Sequence, residues 1–206
     1  MRRAEIKELY ERLRKEFLMK SKSFVALVVV VIMVLYLSKF NEPSTQIQKD
    51  ILDANGYLVS EITKNYPLEI FIKPEWIPLE DDKKLNLNVK LLEIENTTIY
   101  LQEVWNRGDF GDDIYFSFHT TYNLDSTEGR FLNNNVYNQD GSVSTDTSFD
   151  DFLIYDSKKN EIVIGETGTG PGSDFSFGVD ESQFIEIRNG FYLNYSGMHL
   201  YEYSKK

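Results

Sequence analysis

Along the chain the spacing of apolar residues changes period twice, and each change marks a boundary. From Ala4 to Lys20, "AEIKELYERLRKEFLMK" places Ile6, Leu9, Leu13 and Phe17 at three- and four-residue steps. That is the repeat of an amphipathic helix. "SFVALVVVVIMVLYLSKF", residues 23–40, is apolar throughout, with 16 uncharged residues between Lys22 and Lys39. At about 1.5 Å per helical residue this run spans roughly 24 Å, and snorkelling of the two lysines extends it toward a bilayer core. Residues 44–54, "STQIQKDILDA", predict a short helix that Ser44 or Thr45 caps, with Ile47 and Ile51 on one face and Asn55-Gly56 as the stop.

From Pro67 onward the helical spacing gives way to alternation. Leu85, Leu87, Val89 and Leu91 fall on one side of a strand, and Asn86, Asn88 and Lys90 on the other. "EIFI", "TTIYLQEVW", "IYFSFHTTY", "DFLIYD", "EIVIG", "QFIEI", "FYLNY" and "HLYEY" predict further strands, separated by turn signals such as "ENT", "NQDGS" and "RNG". The sharpest local expectation is a hairpin over Gln183–Tyr195, with Asn189-Gly190 in a type I′ turn. Eight to ten strands without helical crossovers point to a mainly β, antiparallel β-sandwich, a barrel being the alternative. The expected organisation is a leader at 1–22, a transmembrane helix at 23–40, a partly helical stalk at 41–66 and a β domain at 67–206.

Charge orients this arrangement. Residues 1–22 hold eight cations and four acids, a net +4, which leaves −15 for the rest of a chain whose total is −11. A basic flank, an apolar segment and an acidic remainder in that order predict a cytoplasmic N-terminus and an exported C-terminal domain. Cleavage after Ser38 or Ser44 is disfavoured, because Tyr36 and Glu42 occupy the positions where a signal peptidase needs small residues. The segment is therefore expected to remain as a single-pass anchor in the lipid bilayer, with a cleaved secreted domain as the alternative. The acidity argues against a nucleic-acid partner. The absence of cysteine removes disulfides, thiolate zinc sites and thiol catalysis.

The strand pair "LNLNVKLLEIENTTIYLQEVW" and the segment "FLIYDSKKNEIVIGETGTGPGSDFSF" resemble immunoglobulin-like ectodomains of membrane-bound Gram-positive proteins, including some anti-sigma factors. The resemblance implies an Ig-like sandwich outside a bacterial membrane. It carries over no functional residue, and the 22-residue leader is shorter than a sigma-binding domain.

Candidate chemistry is sparse. His119 and His199 lie in expected strands, at no metal-binding spacing, and no G-x-S-x-G elbow occurs. The acids Asp109, Asp112 and Asp113, with Glu80–Asp82 and Asp146, Asp150 and Asp151, are weak calcium candidates that fit no loop motif and otherwise read as solvated turn carboxylates. "GTGPGSDFSFG" lacks the lysine of a phosphate loop and reads as a mobile loop. Phe191, Tyr192, Tyr195, Tyr201 and Tyr203 crowd the C-terminal strands, where they serve as core or as a binding face. These features predict no cofactor and a non-catalytic binding, sensing or assembly module with a protein partner. An extracytoplasmic enzyme acting on surface polymer through paired acids is the alternative.

Overall fold

The computed structural model describes residues 42–206, apart from 109–110, 139, 141, 146 and 171–172. The leader and the apolar segment 23–40 lie outside the described residues; within them, no helix is long and apolar enough to cross a membrane. A compact unit spans Ile47–Lys206. It is mainly β, at 58% strand.

Two five-stranded antiparallel sheets face each other across one core, as in a β-sandwich. One sheet is centred on β12 (Phe191–Lys205), which pairs along its length with β1 (Tyr57–Ile72). On its other edge β12 pairs first with β8 (Phe152–Tyr155), which in turn pairs with β9 (Glu161–Ile162), and then with β5 (Glu128–Asn133). The second sheet runs β10 (Glu166–Thr169), β11 (Phe175–Asp180), β4 (Asp113–Tyr122), β3 (Thr97–Asn106), β2 (Lys84–Ile94). A ribbon of β6 (Asn135–Tyr137) and β7 (Val143–Thr145) stands apart.

The core is aromatic. Phe116, Phe118, Phe175 and Phe177 from the second sheet meet Phe152, Phe191 and Tyr195 from the first. Phe118 stacks on Phe175 at 4.6 Å and Phe175 on Tyr195 at 4.1 Å between ring centroids. Large rings fill the space between sheets with few rotamers to lose, which suits a domain with no disulfide to close it. β2 alternates as its sequence predicts, with Asn86, Asn88 and Lys90 exposed. The turn that follows it is a tight one: Glu95 and Asn96 both have positive φ, 47° and 59°, between paired Ile94 and Thr97. Positive φ at both central residues is what a type I′ turn requires.

Three expectations are corrected. Gln183–Tyr195 is no hairpin: Glu181–Gln183 is a 3-10 turn, and a one-turn helix follows over Phe184–Ile187. Phe184 and Ile187, three residues apart, turn one face to the core, where Ile187 is fully buried. Gly190 alone takes positive φ, 83°, as the left-handed stop whose N–H donates to Ile187 O at 2.8 Å. "FYLNY" and "HLYEY" form one strand, β12, and not two. The glycine-rich stretch read as a mobile loop is largely a hairpin of β10 and β11, with Gly170 N–H donating to Asp174 O at 2.9 Å.

The helix α1 (Glu42–Leu52) forms where expected, but it is packed on the domain. Ile47, Ile51 and Leu52 lie against a second cluster of Tyr57, Phe131, Tyr201 and Tyr203, on the face of the β12 sheet that points away from the main core. Ile51 is fully buried, and Gln48 Nε2 donates to Tyr122 O at 2.8 Å. The boundary expected at residue 67 accordingly falls inside β1, whose upper half already pairs with β12 from Tyr57.

Candidate interaction surface

Two of the acidic loops, at Glu80–Asp82 and at Asp112–Asp113, lie side by side. Asp113, at the start of β4, is 3% exposed, and Arg107 takes both of its oxygens, Nε donating to Oδ1 at 2.6 Å and Nη2 to Oδ2. Nη2 also donates to Glu166 Oε1 at 2.6 Å, and the guanidinium lies 4.9 Å from the Tyr115 ring centroid. Hydrogen bonding to Asp113 raises the guanidinium pKa further. This is a charge-assisted network that engages both oxygens of Asp113. Asp112 points elsewhere. With Asp81, Asn106 and Glu181 it lines a hollow of about 50 Å³ closed by Phe184. Asp109 and Asp146 lie outside the described residues. Among the described residues no three His, Asp or Glu converge as metal ligands.

The other candidates are taken up by the fold. Asp151 caps its own 3-10 turn, Ser148 N–H donating to Oδ2 at 2.7 Å, while Lys83 reaches Glu80 at 3.0 Å. His119 Nδ1 lies 3.0 Å from Asp174 Oδ1, which also accepts from Thr120 N–H at 2.9 Å, so the pair fastens the β10–β11 hairpin to β4. Beside it Ser173 donates to Asn133 Oδ1 and accepts from Asn134 N–H at 3.1 Å, all three residues being buried. His199 is buried on β12 with Nδ1 3.7 Å from Glu61 Oε1. Tyr201 and Tyr203 belong to the second cluster: their hydroxyls donate to Asn135 O and Asp125 O, both at 2.9 Å. Burial raises the Tyr201 pKa to about 12.

What stays uncovered is the lower half of the same outer face. Helix α1 shields the upper half, where β5 joins β12. Below it, Phe71, Tyr192 and Tyr155 form a row across β1, β12 and β8, with Leu153 and Asn194 paired in the row beside it. Phe71 is 41% exposed, Leu153 44%, Val163 just past β9 62%, and Phe149 before β8 53%. A shallow depression of about 530 Å³ adjoins them, lined by Pro67, Glu69, Asp150, Leu153 and Asn194. Its origin is a seam in the sheet. β8 leaves β12 at Tyr195 and β5 joins only at His199, so residues 196–198 have no strand partner on that edge among the described residues. At the same seam the side chains of β12 change sides, Tyr195 and Met198 both facing the core.

The two tyrosine rings of this face are packed on each other. Tyr155 and Tyr192 stack on each other at 5.4 Å and 11°, Phe71 leans on Tyr192 at 4.9 Å, and Lys159 Nζ covers Tyr155 at 4.2 Å. Tyr155 O–H donates to Glu69 Oε2 at 2.8 Å.

The sequence held a signal for this surface. A half-exposed antiparallel strand should alternate, yet "LEIFI", "DFLIYD" and "EIVIG" are apolar on both sides. Ile70, Ile72, Phe152, Ile154 and Ile162 point inward and account for half of each run. Phe71, Leu153 and Val163 belong to the other half, and among the described residues they stay 41%, 44% and 62% exposed. No family model matches the chain, and no curated protein and no solved structure matches it.

Proposed function

We propose that this protein is a single-pass, membrane-anchored binding module, with the leader 1–22 in the cytoplasm, 23–40 as an uncleaved anchor, and an Ig-like β domain outside that engages a protein. The observation that carries the binding reading is the apolar surface of Phe71, Leu153 and Val163 on the bare half of the β12 sheet. Contiguous exposed apolar surface on a soluble domain marks an interaction site more often than an accident of composition. The basic, apolar, acidic order of the sequence supports the orientation. A catalytic reading has less support, because two of the three acids lining the depression are engaged as acceptors, Glu69 by Tyr155 and Asp151 by Ser148.

Two measurements test it. Protease added to spheroplasts is expected to digest the region after Phe40 and spare the leader; digestion of the leader reverses the orientation. Membranes solubilised in mild detergent are expected to yield a co-purifying protein with the wild type and not with Leu153→Ser/Val163→Ser. Equal recovery with the variant removes this face from the reading.

A further inference from the structure

Resting on that reading, we infer that the bare half of the β12 sheet takes a polypeptide segment that is apolar and cationic. The other classes of occupant each meet an obstacle on the surface itself. A sugar needs an open ring face, and here the faces of Tyr155 and Tyr192 lie against each other and under Lys159. A second copy would bring the same acids against themselves, on a chain that carries −15 beyond residue 22. An anionic lipid surface meets that same acidity.

The remaining features fit one another. Phe71, Phe149, Leu153 and Val163 offer apolar contact, and Leu153 also lines the shallow depression beside them. Carboxylates of Glu69 and Asp150 line the depression, and Glu161, on β9 opposite Tyr155, is exposed beside the row. Lys159 is the cation within the row, and it is held over two tyrosine rings. An apolar centre with an acidic margin selects partners whose own apolar residues are flanked by lysine or arginine. The margin acts mainly on the rate of encounter and the choice of partner, and the centre on how long the complex lasts.

The test uses the full chain in nanodiscs of neutral lipid, with empty discs as the blank. The probe is a fluorescein-labelled twelve-residue peptide of alternating leucine and lysine, read by anisotropy. Wild type is expected to bind it, and to bind at least tenfold more weakly at 500 mM than at 50 mM salt. A peptide with glutamate in place of lysine is expected not to bind. Leu153→Ser/Val163→Ser should weaken binding at least tenfold, and Asp150→Lys/Glu161→Lys at least fivefold. Ile185→Ser, exposed but on the short helix, should leave it unchanged. If the glutamate peptide binds as well as the lysine peptide, the cationic assignment fails while the docking face stands. If the serine pair binds like wild type, or wild type does not bind the probe, the face itself is overturned as the site.

Discussion

Gly190 shows how one backbone angle can matter for a reason other than the one its sequence suggests. Its φ of 83° ends a short helix, and a Cβ there would come 2.7 Å from Ile72 O and 2.8 Å from the Phe71 ring. Gly190→Val should cost about 1–3 kcal/mol from the strained backbone alone, and the clash adds to it. Chemical denaturation of the full chain reads this directly, and an unchanged midpoint would show that the residue is not held as described. Arg107 is the second sensitive position. Replacing it by Met leaves Asp113 buried without a counter-charge, at a cost of about 3 kcal/mol, the lower end of the range because the guanidinium retains some solvent contact. Adding Asp113→Asn should recover part of that loss. Failure of the double variant to regain stability would mean that Arg107 acts through packing on Tyr115 and not through charge.

At the scale of elements, helix α1 decides what the N-terminal part of the domain is. A stalk tolerates substitution, whereas a docked helix does not. Ile51→Ala removes a fully buried side chain from the second cluster and should cost about 2–4 kcal/mol in the unfolding midpoint. No change would return α1 to the role of a spacer. The sequence made much of this architecture readable. Period-two alternation in β2, β3 and β4 predicted strands because each is covered on one face alone. Ile47 and Ile51 predicted the helix, but not its contact, because all its partner aromatics except Tyr57, namely Phe131, Tyr201 and Tyr203, lie far along the chain. "QFIEI" misled, since Phe184 and Ile187 satisfy a helical step as well as a strand, and burial of Ile187 decided between them. Of the expected acidic trio, Asp113 is engaged by Arg107, six residues before it, and Asp109 lies outside the described residues. Nothing local in sequence marks which acid an arginine will take. The interaction surface was legible only as an excess, apolar residues on the side of a strand where alternation calls for polar ones.

For the molecule as a whole, pH acts from both ends. The Asp125, Asp140 and Asp156 carboxyls are held below the usual range, chiefly by side-chain hydrogen bonds from Thr127, Ser142 and Asn160. A depressed folded pKa gives stability that is present above about pH 4 and lost as pH falls through the folded value. At the alkaline end, burial raises Tyr122, Tyr137, Tyr195, Tyr201 and Tyr203. A raised folded pKa contributes stability that is complete below about pH 10 and is lost as pH rises toward the folded values. Absorbance at 295 nm should therefore show these five tyrosines ionising late, in one step with loss of the β circular dichroism signal. A single smooth titration of all 13 tyrosines with the fold intact would contradict the packing of both clusters. The pairing of β1 with β12 has a mechanical consequence. Tyr57 is paired with Lys205, and Lys206 N–H donates to Gly56 O, so the start of β1 lies beside the end of β12. Tension between those two ends loads the ladder one rung at a time, as a zipper opens, which is its weak direction. If the proposed anchor and partner hold, a partner gripping Leu153 and Val163 across β12 would instead load the β1–β12 rungs together in shear, and a handle fused to Lys206 would measure a different strength.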